Sequence, residues 1–368
     1  MRSARSRAVW AVPVLTAGVV VAAGALTTAT SASAHPTLPA RTAAQLLAGV
    51  QTSDVSILSG TVVESTHLGL PSLPGADGGS SLSWQSLVTG SHTARVWVAG
   101  PDKQRVALLG TLSESDVIHN GTDLWTYTSQ TNQVTHTVLS AKDSRHAVGS
   151  AVPDARSVTP LGAAQQLLKA IDPTTAVSVD PTRTVAGRPA YTIVLTPRDT
   201  RSTVRKVAIA IDATHFVPLE VQVFGSGSTA AFDTRFTKGL SFATPKASIF
   251  DFHPPAGSTI APNPLRAGRR VHVQGGPGGP TPRLPAATST SAPKIIGTGW
   301  TSIAEFATGL PDGATGALLD KLAAPIGSNG DRIVKTALLN VLIQRDGRAF
   351  LGAVSASMLE QTAAATPR

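Results

Sequence analysis

The sequence predicts an α+β protein built on a strongly curved, open antiparallel half-barrel of about ten or eleven strands, with helices over the concave face. Two observations lead to this fold class. Short runs of alternating apolar and polar residues follow one another from Val55 to Lys238, and turn residues separate them. Only two segments of this region have the spacing of an amphipathic helix. Two helices cannot cover both faces of so large a sheet, so a bent sheet with helices in its concave side is the economical arrangement.

The helices are predicted at Thr42 to Val50 and at Leu161 to Ile171, where apolar side chains recur at helical spacing. The predicted strands are the runs 55–65, 82–88, 92–99, 104–109, two or three within 116–139, and then 176–184, 190–196, 204–211, 217–224 and 230–238. Asn120 and Gly121 indicate a two-residue hairpin, because both central positions of a type I′ turn need a positive φ.

The first segment, residues 1–34, has the pattern of a signal peptide. Arginines 2, 5 and 7 precede the apolar run Ala8 to Leu26, and Ala32-Ser33-Ala34 suits cleavage. An uncleaved signal anchor is the alternative, because the apolar run approaches the length that spans a bilayer. Both interpretations predict an extracytoplasmic body, either secreted or anchored in the membrane by its N-terminal helix.

Composition divides the remainder into three parts. Residues 35–260 form the predicted half-barrel domain, and residues 261–294 are a linker rich in Pro, Gly, Ser and Thr. Residues 295–368 form a small helix-hairpin-helix unit, with helices at 317–322 and 355–364 around a hairpin at Arg345-Asp346-Gly347. This unit is too small for much independent stability, so we expect it to dock on the main body.

Cysteine and charge narrow the class of protein. The chain has no cysteine, which excludes disulfides, thiolate metal sites and cysteine nucleophiles. The formal charge is +9, and +6 remains without the three arginines of the N-terminal segment. The arginines are scattered and basic runs interleaved with aromatic residues are missing, which argues against a nucleic-acid partner.

No set of residues in the sequence predicts catalysis. The motifs His-Glu-x-x-His and Gly-x-Ser-x-Gly and the phosphate-binding loop do not occur, and the nine histidines are spread singly. A metal site needs several ligands, so a single histidine on a strand is better interpreted as a solvated or hydrogen-bonded residue. We therefore expect a protein that is not an enzyme and that needs no cofactor or metal.

Five motifs, in order, resemble the LolA/LolB-like lipoprotein carrier superfamily, which also includes the RseB/MucB N-terminal domains and lipid carriers of the LppX/LprG kind. They are Ser59-Gly60-Thr61-Val62 in the first strand, Pro101-Asp102-Lys103-Gln104-Arg105, the hairpin Asn120 to Tyr127 with Asn132-Gln133-Val134, Tyr191 to Pro197, and the closing Phe250 to Gly257. The resemblance covers residues 41–260. The Ala/Arg-rich, Lys-poor composition is typical of an actinobacterial member of such a group.

The resemblance implies an extracytoplasmic carrier that holds the acyl chains of a lipid or lipoprotein in an apolar cavity. The alternative is an RseB-like envelope-stress regulator, which would act through contact with a membrane-associated partner protein. The candidate cavity residues are Trp84, Trp97, Arg105, Leu124, Trp125, Tyr127, Ile193 and Val221. Arg105 matches a family position that makes polar contacts near the cavity and its lid. For the tryptophans, ordinary core packing stays an equal alternative.

Overall fold

The computed structural model describes residues 38–69, 90–139, 159–168, 173–261, 293–307, 323–326 and 330–366. All of them belong to one compact unit, Thr37–Arg368. No helix within these ranges has both the length and the apolar character that a membrane span requires. The predicted signal segment, the strand 82–88 with Trp84, most of the linker and the helix 317–322 lie outside the described residues.

A twelve-stranded sheet forms the main body. Its strands are β1 (Ile57–Thr66), β2 (Gly90–Ala99), β3 (Lys103–Leu109), β4 (Glu114–Asn120), β5 (Asp123–Thr128), β6 (Gln133–Val138), β7 (Thr175–Val185), β8 (Arg188–Pro197), β9 (Lys206–Asp212), β10 (Pro218–Phe224), β11 (Phe232–Phe236) and β12 (Thr259–Ile260). The order is β12-β6-β5-β4-β3-β2-β1-β11-β10-β9-β8-β7, so the sheet is open, with β12 and β7 at its two edges. Neighbours are antiparallel except for the parallel pair β12 and β6. The large open antiparallel sheet that the sequence predicts is confirmed.

The hairpin between β4 and β5 differs from the prediction by one residue. Asn120 pairs with Asp123, so Gly121 and Thr122 are the central residues of the turn. Gly121 has a φ of 64°, while Asn120 is not among the residues with positive φ. The type I′ turn predicted at Asn120-Gly121 is therefore wrong. The central residues are Gly121 and Thr122, and only Gly121 has a positive φ, which is the pattern of a type II′ turn.

Two helices pack on one face of this sheet. Helix α1 (Ala43–Thr52) begins with a capping box, in which Thr42 and Gln45 satisfy each other's main-chain N–H groups. Helix α2 is Pro160–Leu168. Leu46 of α1 and Ala164 of α2 lie in the core cluster built by β8, β9 and β10, where both are 0% exposed. The described helices therefore cover the β8–β10 part of this face.

The C-terminal region forms a second, six-stranded sheet. Its strands are β13 (Lys294–Ile296), β14 (Ile303–Ala307), β15 (Ala324–Ile326), β16 (Asp331–Lys335), β17 (Asn340–Ile343) and β18 (Arg348–Gly352), in the order β13-β14-β18-β17-β16-β15. Helix α3 (Ala356–Ala365) is capped by Ser355 and buries Leu359 and Ala363. The predicted hairpin and final helix are present, but a helix-hairpin-helix unit is the wrong description. The missed strands have three to five residues, which is too short for a clear alternation.

The second sheet is joined to the first by hydrogen bonds. The N–H of Thr203 donates to the carbonyl of Ala353 (2.8 Å), and the N–H of Ala337 donates to the carbonyl of Leu68 (2.8 Å). Leu338, which follows directly, belongs to the core cluster of the main sheet. The two sheets therefore share buried side chains as well as main-chain contacts.

Candidate functional site

Four of the predicted cavity residues share one face of the large sheet. Trp97 pairs with Arg105, and Arg105 pairs with Ile118 on the next strand. Ile118 in turn pairs with Trp125. Because paired residues of adjacent strands point to the same side, Trp97, Arg105 and Trp125 lie on a common face, together with Tyr127 two positions further along β5.

The segment 247–260, here called the closing segment, covers this face. The guanidinium of Arg105 donates through Nη1 to the carbonyl of Ile249 (3.3 Å). The ring of Phe252 lies 5.5 Å from that of Trp125 and 5.9 Å from that of Tyr127, and Phe250 is 1% exposed. The aromatic side chains on this face therefore pack against the protein's own chain.

Arg105 is held by charge as well as by the closing segment. Its Nε lies 3.0 Å from Oδ1 of Asp116, whose side chain is 4% exposed. Its guanidinium carbon lies 5.6 Å from the centre of the Trp97 ring, a cation–π distance. Burial, followed by the nearby Asp116 carboxylate, raises the pKa of Glu114 at the edge of this group. Asp116 and Trp97 thus orient Arg105, and Arg105 holds the closing segment through its hydrogen bond to Ile249.

Three other candidates lie on the opposite face. Ile193 pairs with Ile209, which pairs with Val221, and all three are 0% exposed under the helices. Following the register from Val221 through β11, β1, β2, β3 and β4 shows that Leu124 lies on the same face as Val221. Leu124 belongs to a separate small cluster with Val117 and Leu139.

The seven described candidates are thus divided between the two faces of the sheet, and only residues of one face can line a common cavity. Trp84 lies outside the described residues. A role in ligand binding stays a prediction for each of them.

A cavity of about 800 Å³ lies between the two sheets. We call it the inter-sheet cleft. One wall is the β8–β9 connection and the other is helix α3. The lining residues are Thr200, Arg201, Ser202, Thr203, Arg205, Ser226, Ile296, Thr336, Ala337, Ser355, Ser357, Met358, Gln361, Thr362, Ala365 and Thr366. Sequence reasoning missed this site, because its walls come from distant parts of the chain and carry no local motif.

Hydrogen bonds between the β8–β9 connection and the second sheet close the floor of the cleft. Besides the bond from Thr203 to Ala353, Ser202 forms an antiparallel bridge with Val354, and the hydroxyl of Thr203 donates to the carbonyl of Leu338. A neighbouring cavity of about 320 Å³ reaches Trp300 and shares Arg201, Ile296, Met358 and Thr362 with the first. The cleft is therefore anchored at its base and continues towards Trp300.

The charge in the cleft is positive. Arg201 pairs with Asp199 at 2.7 Å, and hydrogen bonds from Arg201 lower the pKa of Asp199 to about 2. Arg205 donates through Nη1 to the carbonyl of Thr200 (3.0 Å) and has no carboxylate partner among the described residues. None of the described residues that line the larger cavity is acidic.

The pair Asp212 and His215 is the arrangement that comes nearest to a catalytic one in the described part of the chain. Nδ1 of His215 lies 3.1 Å from Oδ1 of Asp212, but it also lies 3.0 Å from Nη2 of Arg188. The hydroxyl of Ser53 donates to the main-chain carbonyl of His215, so it is not placed as a nucleophile for the imidazole. The His215 ring stacks on Phe242. These contacts of His215 therefore stabilise the β9–β10 turn, and they do not align a nucleophile with a base. The described residues also contain no group of three His, Asp or Glu side chains that would hold a metal.

Comparison with known proteins gives matches to solved structures only. No family model matches the chain, and no curated protein matches it. The MucA/MucB complex of Pseudomonas aeruginosa gives a TM-score of 0.41 at 16% identity, over 87% of this chain and 96% of the other. An uncharacterized conserved protein from Thermus thermophilus gives 0.32 at 11% identity, over 60% and 99%. A LolA superfamily protein from Nitrosomonas europaea gives 0.22 at 11% identity, over 58% and 99%.

The first of these structures contains MucB and the third is a LolA superfamily protein, and the sequence motifs resemble both of these groups. At such identities and TM-scores the similarity carries no argument about binding or activity. Function is therefore inferred from the contacts within this chain.

Proposed function

We propose that this chain is a non-catalytic binding protein of the cell envelope. It would hold the acyl chains of a lipid or lipoprotein against the apolar face that carries Leu124 and Val221. The signal-like segment at residues 1–34 supports an extracytoplasmic location. The lack of an aligned nucleophile and base at His215 supports binding without catalysis.

The single observation that carries the proposal is that buried apolar side chains continue on this face beyond the cluster that the two described helices join. Leu46 and Ala164, from the two helices, belong to the cluster of β8–β10. Val117, Leu124 and Leu139 form a cluster of their own, to which no described helix contributes. The face is therefore apolar beyond the area under the described helices, which is what an acyl-binding surface requires.

Entry of a ligand needs movement of the protein. Val117, Leu124 and Leu139 are 5%, 3% and 9% exposed, so an acyl chain would take the place of protein atoms that now cover them. Each buried CH₂ of the ligand contributes about 0.8 kcal/mol. A long chain could therefore offset the cost of opening without any polar contact.

Native mass spectrometry of the protein purified from an expressing cell tests this function, together with extraction of bound lipid. We expect an added mass that organic solvent removes, and less of it in Leu124→Ala. Val138→Ala is the matched control, because Val138 is 57% exposed on β6. A ligand-free mass with no lipid in the extract would refute the carrier function.

An RseB-like regulator is the second candidate, and the second sheet favours it. This sheet has its own core around Phe350 and Leu359. Its edge strand β13 presents Ile295, which is 61% exposed. A carrier built on the large sheet alone does not need such an addition, whereas a regulator needs a surface for its partner.

A point variant tests this candidate better than removal of residues 295–368, because Trp300 and Leu338 pack against the core of the main sheet. We expect Ile295→Glu to change envelope-stress transcription while lipid retention stays normal. Leu112→Glu is the control, since Leu112 is 98% exposed at the β3–β4 turn. Unchanged transcription in Ile295→Glu would argue against the regulator.

A further inference from the structure

The inter-sheet cleft has the size of a small-molecule site. Its volume of about 800 Å³ falls in the range of roughly 300–1,000 Å³ that is usual for ligand pockets. It shares no lining residue with the cluster of Val117, Leu124 and Leu139. Whatever binds here is therefore independent of the acyl-binding face proposed above.

The walls of the cleft combine apolar and polar groups. Ile296 and Met358 line both this cavity and its neighbour, and Ala337 and Ala365 add apolar surface to the larger one. Most of the remaining lining side chains are hydroxyls of Ser and Thr. The hydroxyls of Thr203, Thr336, Thr362 and Thr366 already donate to main-chain carbonyls, so the donors for a head group come chiefly from the arginines. Apolar patches beside such donors suit a ligand with an apolar tail and a head group that accepts hydrogen bonds.

The charged side chains of the cleft favour a head group with negative charge. Asp199 offsets the charge of Arg201, and with a pKa of about 2 it stays ionised throughout the neutral range. The guanidinium of Arg205 donates to the carbonyl of Thr200, and no described carboxylate balances its positive charge. A guanidinium in this situation pairs well with phosphate or carboxylate oxygens.

We propose that the inter-sheet cleft binds a single-chain amphiphile with an anionic head group, a phosphate or a carboxylate. Arg205 pairs with the head group, and the tail lies against Ile296, Met358 and Ala365. The main-chain bonds of Ser202 and Thr203 to the second sheet hold both arginines on a fixed wall. Binding therefore requires the two sheets to stay docked.

Isothermal titration calorimetry on the purified full chain tests the proposal, with dodecyl phosphate and dodecanoate below their micelle concentrations. We expect one molecule of either amphiphile bound per cleft, and the two affinities show whether the site prefers a phosphate or a carboxylate head group. Dodecyltrimethylammonium has the same tail and a cationic head, so we expect the cleft not to bind it. Any binding of it that Leu124→Ala removes belongs to the sheet face. Inorganic phosphate alone should bind far more weakly, because it lacks the tail.

Two variants locate the site. Arg205→Gln should weaken binding of dodecyl phosphate about three- to tenfold, which is the range for one exposed charge-assisted contact. Ala365→Glu brings a carboxylate to the lining of the cleft and should weaken it further. Ala364→Glu is the matched control, because Ala364 is an exposed neighbour on the same helix that does not line the cleft.

The outcomes separate this proposal from the carrier function. Equal affinity in Arg205→Gln and the unmodified chain, or equal loss in Ala365→Glu and Ala364→Glu, would overturn the cleft site. Binding that disappears in Leu124→Ala and persists in Arg205→Gln would also overturn it, and would assign the signal to the sheet face. Loss in Arg205→Gln with normal binding in Leu124→Ala supports the cleft, even if the chain carries no co-purified lipid.

Discussion

Arg188 holds the buried carboxylate of Asp212 through both oxygens. Its Nε lies 2.5 Å from Oδ2 and its Nη2 lies 3.2 Å from Oδ1. Asp212 is 0% exposed, and it also accepts the main-chain N–H groups of Thr214 and His215, at 3.0 and 2.7 Å. One carboxylate thus ties the β9–β10 turn to β8.

We expect Asp212→Asn to lower the free energy of unfolding by roughly 1.5–3 kcal/mol, the range for hydrogen bonds to a charged group. The variant leaves the partly exposed Arg188 without its counter-charge. Urea denaturation followed by circular dichroism measures the change. Asp199→Asn is the control, because its ion pair with Arg201 is at the surface and should contribute little. Equal stability of both variants would contradict the role given to Asp212.

The same pair predicts a pH dependence. Burial by itself raises the pKa of Asp212, but the hydrogen bonds from Arg188 and from the main-chain N–H groups of His215 and Thr214 outweigh it, so the pKa is lowered from 3.8. The ionised form therefore stabilises the folded state above pH 3.8, and this contribution is lost as the pH falls through the folded-state pKa.

The difference in unfolding free energy between the unmodified chain and Asp212→Asn should accordingly shrink as the pH is taken below 3.8. Urea titrations of both proteins at neutral and acidic pH measure it. A difference that stays constant across this interval would show that the carboxylate has the same pKa in both states.

The contact between the two sheets depends on Gly225. A Cβ atom at this position would clash with the carbonyl oxygen of Ala337, a main-chain atom in the connection between β16 and β17 of the second sheet. Gly225→Ala should destabilise the docked arrangement by about 1–3 kcal/mol and lower the melting temperature. Gly227→Ala is the control, since nothing lies within 4 Å of its Cβ position. An unchanged melting temperature in Gly225→Ala would show that the sheets can separate without cost.

Phe250 anchors the closing segment. Its side chain is 1% exposed, so Phe250→Ala should cost about 3–5 kcal/mol through lost burial and a residual cavity. Phe252→Ala should cost less, because Phe252 is only partly buried beside Trp125. Limited proteolysis near residues 254–260, read by mass spectrometry, measures release of the segment. Cleavage at the same rate in Phe250→Ala and the unmodified chain would contradict this anchoring.

Local patterns predicted the elements that depend on nearby residues. The helix after Thr42 and the helix after Ser355 begin where a capping residue precedes an apolar stripe. The longer strands were found because alternation over six or more residues is a clear signal. The strands β13 to β16 were missed because three to five residues do not establish a period, and the turn at Gly121 was misplaced because pairing between strands, not the Asn-Gly pair, sets its register.

The sequence by itself determined that this is a strand-rich chain without cysteine or a catalytic motif, since composition and alternation are properties of the residues alone. The tertiary structure decided which face each candidate occupies, because register between strands places Trp125 on the same face as Arg105 and Leu124 on the face of Val221. The tertiary structure also formed the inter-sheet cleft. Arg205 and Ala365 face one cavity only because main-chain bonds join Thr203 to Ala353, and no spacing along the chain encodes such a contact.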